Sequence, residues 1–442
     1  MLRHALGLTA WKAHLSERWS LRANPSSGNL HPTEAYVVAG ADLVSAAGVH
    51  HYAAERHALE QRCACAVALE PGTALIALTS IHWRESWKYG ERAFRYCQHD
   101  LGHAIAAIRF AASLVGWTAT LLPDWSQRDI AALTGIDRDA DYVDVEREEP
   151  GCVIAVGRPS IRSPQSPIRN LESVRAGQWS GRANLLSTDH VQWTFIDEIA
   201  RATEDPGRDV PALRPAPTAD PEPAYPAHVL LTRRSAVAFD GRTAIDAARF
   251  FAILSRVLPG DRAPWDALWW TPRIHLLLFV HRVGGVDPGV YLLLREPESG
   301  ARLMSALGRA FVPETAHDDL PLVRLGRGDA RRLAERVSCD QAIAADGFFS
   351  LGMIAEFDRS LTELGPSFYR QLYWEAGVIG QVLYLEAESA GARGTGIGCF
   401  FDDPVHDVLG LTDHAFQSLY HFAMGMPIDD LRLTVEPGYP WG

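Results

Sequence analysis

The most regular hydrophobic patterns lie in two long segments, 85–120 and 360–395. In each, small and apolar residues recur at helical spacing, a glycine ends the run at Gly116 or Gly391, and a loop follows. This pattern is typical of a long helix packed on a core, with glycine just beyond its end. Each loop leads to a predicted short helix, "QRDIAALTGI" in the first segment and "DPVHDVLGL" in the second.

Strand-like stretches precede both predicted long helices. The first segment is preceded by "HPTEAYVV" and "HHYAAERHALE", and the second by "TPRIHLLLFV" and "PGVYLLLRE". Short apolar runs rich in Val, Tyr, Leu and Ile are typical of buried strands. Each half of the chain is therefore predicted to be one mixed α+β unit.

The two halves align with each other at one constant offset in residue number, without a gap. We interpret them as tandem copies that pack as an intramolecular pseudo-dimer. The alternative is two unrelated domains that share a few glycines. The matched pairs are Arg84 and Arg359, Arg95 and Arg370, Gly102 and Gly377, Ala112 and Ala387, Gly116 and Gly391, and Gly135 and Gly410.

A proline-rich stretch, 206–226, separates the halves and predicts a stiff, extended connector. A chain of 442 residues is also too long for one ordinary core. The predicted domains are 1–160 and 227–442, joined by a linker over 161–226. The first domain is expected to lack its opening segment, because the counterpart of "LLTRRSAVAFDGR" (230–242) would lie before Met1.

Composition excludes several classes of function. The net charge is −12 and basic residues form no block, so we expect no nucleic-acid partner. No apolar run is long enough to span a bilayer and the start does not resemble a signal peptide, so we expect a cytoplasmic protein without a membrane segment. The six cysteines form no CxxC pair, which predicts reduced thiols and no metal site.

The candidate chemistry lies where the halves differ. The loop "PSSGN" (25–29), the pair Lys88–Tyr89 and the segment "TRRS" (232–235) have no counterpart in the other half. Lys88 is one of only two lysines, beside Lys12, in a chain that otherwise uses Arg for its cations. Since lysine can act as a base and arginine cannot, Lys88 is a candidate base. The alternative interpretations are a plain turn for 25–29, a packing motif at a helix start for Lys88–Tyr89 and an arginine-rich surface turn for 232–235. The glycines of "GTGIGCFF" (394–401) would allow backbone amides to approach a ligand.

Together, "RANPSSGNLHPTEAYVV", "HHYAAERHALEQR", "WKYGERAFRYCQHDLGHA", "RRSAVAFDG" and "AGARGTGIGCFFDDPVHDVLGL" resemble the SagB/ThcOx-type branch of the nitroreductase superfamily. The resemblance implies the nitroreductase fold and an FMN cofactor. It assigns Arg233, Arg234 and Ser235 to the phosphate and one ring edge. The other implied flavin contacts are Ser26, Ser27, Gly28 and Asn29 at the ring, Gly398, Cys399 and Phe400 near N5 and O4, and Arg432 at the phosphate. Because each half lacks what the other has, we expect one FMN per chain, at the interface of the two halves.

In the same branch, a Lys-Tyr pair like Lys88–Tyr89 serves azoline dehydrogenases, which oxidise thiazolines or oxazolines on peptides. Flavin takes a hydride while a base takes the neighbouring proton, and burial of Lys88 among Trp87, Tyr89 and Tyr96 would favour its neutral form. One alternative is a nitro- or quinone reductase that uses NAD(P)H. Another is a degenerate flavin-binding or scaffold protein without turnover. The sequence leaves open the substrate, small molecule or peptide, and any pairing of two chains.

Overall fold

The computed structural model describes residues 1–158, 167–208, 223–308 and 311–441. The described chain divides into two compact units. The first unit contains 1–231 together with 260–269 and 434–442, and the second contains 232–259 and 270–433. Most of the predicted proline-rich connector, 209–222, lies outside the described residues, as does 159–166 of the predicted linker.

Helices form the larger part of the regular structure. In chain order they are α1 Leu2–Leu6, α2 Trp83–Tyr89, α3 Ala93–Ser113, α4 Gln127–Thr134, α5 Pro167–Arg175, α6 Thr194–Ala202, α7 Ala227–Thr232, α8 Ala247–Arg256, α9 Pro297–Ala306, α10 Arg331–Val337, α11 Ile343–Asp346, α12 Phe357–Leu364, α13 Phe368–Ser389 and α14 Asp402–Leu409.

Strands alternate with these helices along the chain. They are β1 Leu8–His14, β2 Glu17–Arg22, β3 Thr33–Ala39, β4 Gly48–Ala53, β5 Ala58–Ala64, β6 Thr73–Ser80, β7 Thr118–Leu121, β8 Glu149–Gly157, β9 Gln178–Trp179, β10 Ile245–Asp246, β11 Ile274–Val280, β12 Val283–Gly284, β13 Gly289–Leu293, β14 Glu314–Thr315, β15 Leu322–Arg327, β16 Phe349–Glu356, β17 Arg393–Ile397, β18 Phe416–Gly425 and β19 Thr434–Pro437.

The first unit is built on a seven-stranded antiparallel sheet in the order β7-β8-β6-β3-β4-β5-β9. Every residue of its central strands β3 and β6 is buried, which explains their continuous apolar character. Helix α3 is buried along almost its whole length. A smaller sheet, β19-β1-β2, pairs the C-terminal strand with the start of the chain. Residues 434–442 therefore belong to the first unit, although the sequence division assigned them to the second domain.

The second unit has a seven-stranded antiparallel sheet in the order β17-β18-β16-β11-β13-β15-β14. Position by position this is the strand order of the first unit, with each strand replaced by a later one. The first residues of helices α3 and α13 are separated by the offset found in the sequence, and the same offset separates strands β7 and β17 and helices α4 and α14. Helices α4 and α14 both end at a left-handed glycine, Gly135 (φ 75°) and Gly410 (φ 70°), a conformation that favours glycine.

One cysteine prediction is wrong. Cys339 and Cys399 form a disulfide across 60 residues, with their Cα atoms 5.8 Å apart. The other four cysteines, Cys63, Cys65, Cys97 and Cys152, are free thiols. Spacing alone cannot identify such a pair, because the fold brings the loop after β17 to the residues after α10.

In the described part of the chain, no helix has the length and apolar content needed to cross a bilayer. Within the same ranges, no group of three or more His, Cys, Asp or Glu is placed to hold a metal ion.

Candidate active site

The Ser-Gly loop, defined here as Ser26–Asn29, connects β2 to β3 in the first unit and forms a short 3-10 turn. Gly28 and Asn29 both have left-handed backbones, with φ 59°. The Ser26 Oγ accepts a hydrogen bond from the His31 N–H at 2.8 Å, and the Asn29 side chain donates to the Ser20 carbonyl at 2.8 Å. The loop is therefore held tightly by its own unit.

The Lys-Tyr pair at the end of helix α2 lies against this loop. A Cβ atom on Gly28 would come within 2.4 Å of the Tyr89 hydroxyl and 3.1 Å of the Lys88 Nζ. Glycine is favoured there, since the position combines a left-handed backbone with this close approach. The structure thus brings together two of the predicted site elements, the Ser-Gly loop and Lys88–Tyr89, which the sequence separates by strands β3 to β6.

The predicted burial of Lys88 is wrong. Its side chain is exposed, and Trp87, an expected cover, is 57% exposed. Tyr96 is buried, but it packs edge-to-face on Tyr89, with ring centroids 4.8 Å apart. The Lys88 Nζ lies 5.1 Å from the centre of the Tyr89 ring. Helix α2 ends at Tyr89, directly after Lys88, so aromatic neighbours in sequence do not enclose the lysine.

Two buried carboxyls that sequence reasoning missed lie behind the Ser-Gly loop. Glu85, on α2, is 0% exposed, and Asp100, on α3, is 1% exposed. Asp100 Oδ1 accepts hydrogen bonds from the backbone N–H of Ser27 at 3.1 Å and from its hydroxyl at 3.4 Å. In the described part of the chain, neither Glu85 oxygen has a hydrogen-bond partner of ordinary geometry. The available signal was two acids near the Lys-Tyr pair, Glu85 being one helical turn before Lys88.

Both carboxyls have raised pKa values. Burial, followed by the negative charge of Asp100, raises the pKa of Glu85 to about 10, while the charge of Lys88 opposes that rise. Burial also raises the pKa of Asp100 to about 7, against hydrogen bonds from Ser26 and Ser27 that favour its ionised form. The pKa of Tyr89 is raised by burial and by both carboxyls, so its phenol stays protonated at neutral pH.

The predicted phosphate residues lie in the second unit. Arg233 is 4% exposed, and its guanidinium carbon lies 5.1 Å from the centre of the Tyr384 ring. The Ser235 hydroxyl donates to the Tyr384 hydroxyl at 3.0 Å. Burial lowers the pKa of Arg233, and burial together with Arg233 lowers the pKa of Arg234 to about 10. Two adjacent, desolvated guanidinium groups favour an anion.

The glycine-rich segment and Arg432 make close contacts within the second unit. A Cβ on Gly394 would meet the Phe422 ring at 2.4 Å, and one on Gly396 would collide with the Tyr420 hydroxyl. Close packing inside the second unit thus accounts for both glycines without a ligand. Arg432 is largely exposed, and its guanidinium donates to the Asp430 carboxylate at 2.7 and 2.8 Å.

Two of the residues predicted to contact the flavin ring, Cys399 and Phe400, already bond or pack with other residues of the second unit. Cys399 is in the disulfide with Cys339, and its carbonyl accepts from Gln341 at 3.2 Å. The ring of Phe400 is buried and stacks on His421, with centroids 4.7 Å apart. The roles predicted for Gly398, Cys399 and Phe400 toward a flavin therefore stay predictions.

Residues 4–158 match the nitroreductase family. The match covers six of the seven strands of the larger sheet of the first unit, all but β9, together with the Ser-Gly loop, the Lys-Tyr pair and both buried carboxyls. No curated protein matches the chain.

Solved structures extend the nitroreductase fold over most of the chain. A protein from Anabaena variabilis, assigned as a nitroreductase, superposes with a TM-score of 0.65 at 19% identity, covering 97% of this chain and 87% of its own. The Escherichia coli microcin synthetase McbBCD complex, with truncated pro-MccB17 bound, reaches 0.34 at 15% identity, covering 61% and 85%. An FMN complex from Exiguobacterium sibiricum, also assigned as a nitroreductase, reaches 0.26 at 11% identity, covering 46% and 88%. The fold conclusion rests on the first.

Proposed function

We propose that this protein is an FMN-dependent oxidoreductase of the nitroreductase type. The observation that carries the proposal is the meeting of Lys88–Tyr89 with the Ser-Gly loop inside the segment that matches the family. A basic amine, a protonated phenol and two buried acids there form a set able to move protons. The same set would be hard to explain in a protein with only a structural role.

The residues present fit an FMN group in part. Arg233 and Arg234 are desolvated guanidinium donors of the kind that hold a phosphate monoester, and Ser235 adds a hydroxyl. The Ser-Gly loop fits less fully, because Ser27 and Asn29 already bond within their own unit. A bound FMN would supply the acceptor and donor of a hydride.

We further infer that the two units are copies of one fold. The support is their shared strand order and the common offset of their helices. The Lys-Tyr pair belongs to the first copy and the arginine pair to the second, so the two copies carry different candidate functional side chains. On this basis we expect one flavin per chain rather than two.

The reaction we favour is an azoline-type oxidation on a peptide or small molecule. Lys88 is exposed, which leaves its amine accessible to a substrate, and it would accept the released proton after giving up its own to water. Tyr89 keeps its proton at neutral pH and is therefore a hydrogen-bond donor that orients the substrate rather than a base. Gly28 of the Ser-Gly loop lies close to the ends of both side chains.

A second candidate, an NAD(P)H-dependent nitro- or quinone reductase, is favoured by one observation. Lys88 is exposed and lacks the aromatic cover expected around a catalytic base, and such a reductase needs no Lys-Tyr pair. Lys88→Ala distinguishes the two. An azoline oxidase would lose turnover and keep its flavin, whereas a reductase would keep both.

The cofactor is tested by the absorption spectrum and the flavin-to-chain ratio of the purified protein, with a ratio near one expected. Arg233→Ala should weaken FMN binding by about tenfold to hundredfold, since a charge-assisted contact contributes about 1.5–3 kcal/mol. Arg242→Ala is the matched control, because that arginine is exposed and pairs with Asp240. Protein that stays colourless when FMN is added would refute the proposal and leave a scaffold role.

A further inference from the structure

The pair Glu85 and Asp100 is an unusual feature of the first unit. Both side chains are essentially inaccessible to solvent, one on α2 and one on α3. Each oxygen of Glu85, and Oδ2 of Asp100, lacks a hydrogen-bond partner of ordinary geometry within the described residues. Buried carboxyls of this kind usually neutralise or find a cation.

The surroundings do not neutralise both charges. The groups that interact with the pair include Lys88 and Tyr89 from α2, Tyr96 and Cys97 from α3, and Ser26 and Ser27 from the Ser-Gly loop. The cation in this described set is Lys88, whose side chain is exposed. Two neighbouring carboxyls in such a site cannot both ionise cheaply, so one keeps a proton.

The geometry also indicates which carboxyl keeps the proton. Asp100 accepts two hydrogen bonds from Ser27, including one from a backbone N–H, and these favour its carboxylate. Within the described residues no backbone N–H donates to Glu85, which is therefore the protonated partner. The Ser26 hydroxyl, which is half-buried, lies beside both carboxyls and favours the ionised form of each.

We propose that Glu85 and Asp100 are positioning residues that together store one proton for the Lys88–Tyr89 site, with the Ser26 hydroxyl as the group that connects them. The role rests on the proposed function, but the stored proton does not. In turnover, Lys88 first loses its proton to water, and the neutral amine then forms an N–H bond with the proton released from a substrate carbon; the charge that it regains favours loss of the Glu85 proton. That proton leaves through Ser26 to water, and Glu85 takes one back when Lys88 releases its own. The net charge of the site is then unchanged over the cycle.

The stored proton is tested by infrared titration of the purified full-length chain, which needs neither flavin nor substrate. At pH 8 the wild type should show a protonated carboxyl band that is lost in Glu85→Gln. The difference spectrum separates Glu85 from other buried carboxyls such as Glu148. In Lys88→Met the titration midpoint of this band should move to higher pH, because the opposing charge is gone. Lys88 is exposed, so this variant tests the coupling without disturbing the buried pair.

The role in turnover is tested by the pH dependence of kcat and KM. Glu85→Gln should shift the pH profile of kcat and lower kcat by about tenfold to hundredfold, at the low end of proton-transfer effects, with KM little changed. Glu91→Gln is the control, since that acid is exposed in the same segment.

The outcomes separate the two proposals. Absence of a protonated carboxyl in the wild type, or its persistence in Glu85→Gln, overturns the stored proton whatever the enzyme does. A band that behaves as expected in a protein without flavin supports the stored proton and refutes the proposed function. A kcat profile unchanged in Glu85→Gln overturns the role in turnover.

Discussion

The Ser-Gly loop supplies a quantitative test of the site geometry through Gly28→Ala. The substitution has two separable costs. A left-handed backbone costs a non-glycine residue about 1–2 kcal/mol. The new Cβ would also lie 2.4 Å from the Tyr89 hydroxyl, and overpacking of this kind costs about 1–3 kcal/mol. We therefore expect a total loss of about 2–5 kcal/mol in the free energy of unfolding of the first unit.

The chain offers a control for each cost. Gly72 has a comparable backbone (φ 78°), and a Cβ there would meet nothing within 4 Å, so Gly72→Ala should show only the backbone cost. Adding Tyr89→Phe to Gly28→Ala removes the colliding hydroxyl and should recover most of the overpacking cost. The coupling between Gly28→Ala and Tyr89→Phe in a double-mutant cycle then measures the contact directly.

The assay is urea unfolding followed by tryptophan fluorescence, together with turnover for each variant. Gly28→Ala should also lower turnover more than Gly72→Ala does, because Tyr89 must move to make room. Equal destabilisation by Gly28→Ala and Gly72→Ala, or additivity of Gly28→Ala with Tyr89→Phe, would refute the placement of the loop against the Lys-Tyr pair.

Two further predictions concern buried charges in the first unit. Arg109 and Asp266 form a bidentate ion pair with N···O distances of 2.6–3.0 Å, and their side chains are 0% and 5% exposed. Asp266→Ala should therefore lower the free energy of unfolding by about 3–5 kcal/mol, measured by thermal or urea unfolding. The control is Asp261→Ala, which should leave the stability unchanged because Asp261 is exposed. For Glu34, burial raises the pKa, but the hydrogen bond from His51 and the charges of Arg84 and Arg22 outweigh it and lower the pKa to about 2. Because the pKa of Glu34 is lower in the folded than in the unfolded protein, its ionised form stabilises the fold by about 3 kcal/mol above pH 4.5, and this stabilisation is lost as the pH falls toward 2. Acid unfolding of the Glu34→Gln variant should lack that part of the pH dependence.

The local elements could be read from the sequence because their signals are local. Helices α3 and α13, and the left-handed glycines Gly135 and Gly410, follow from residues within a few turns of each other. The α+β nitroreductase fold predicted from the motifs is confirmed for the first unit by the family match over residues 4–158. The FMN contacts and the site shared by the two halves stay predictions.

The errors share a physical cause, which is that burial and pairing depend on distant parts of the chain. Lys88 was expected to be enclosed by its aromatic neighbours, yet the end of α2 turns it to solvent. Cys339 and Cys399 were expected to be free, yet the fold joins them. The partner of Arg109 lies 157 residues away and could not be found from spacing.

The sequence by itself determined where the main helices and strands form and which residues are chemically capable, since periodicity, glycine placement and residue type are properties of short segments. Only the tertiary structure decided that Glu85 and Asp100 meet behind the Ser-Gly loop, and that strand β19 closes a sheet with the start of the chain. Desolvation and charge coupling arise when separate elements pack together, and for that reason the raised pKa values of the two acids could be recognised only in the folded protein.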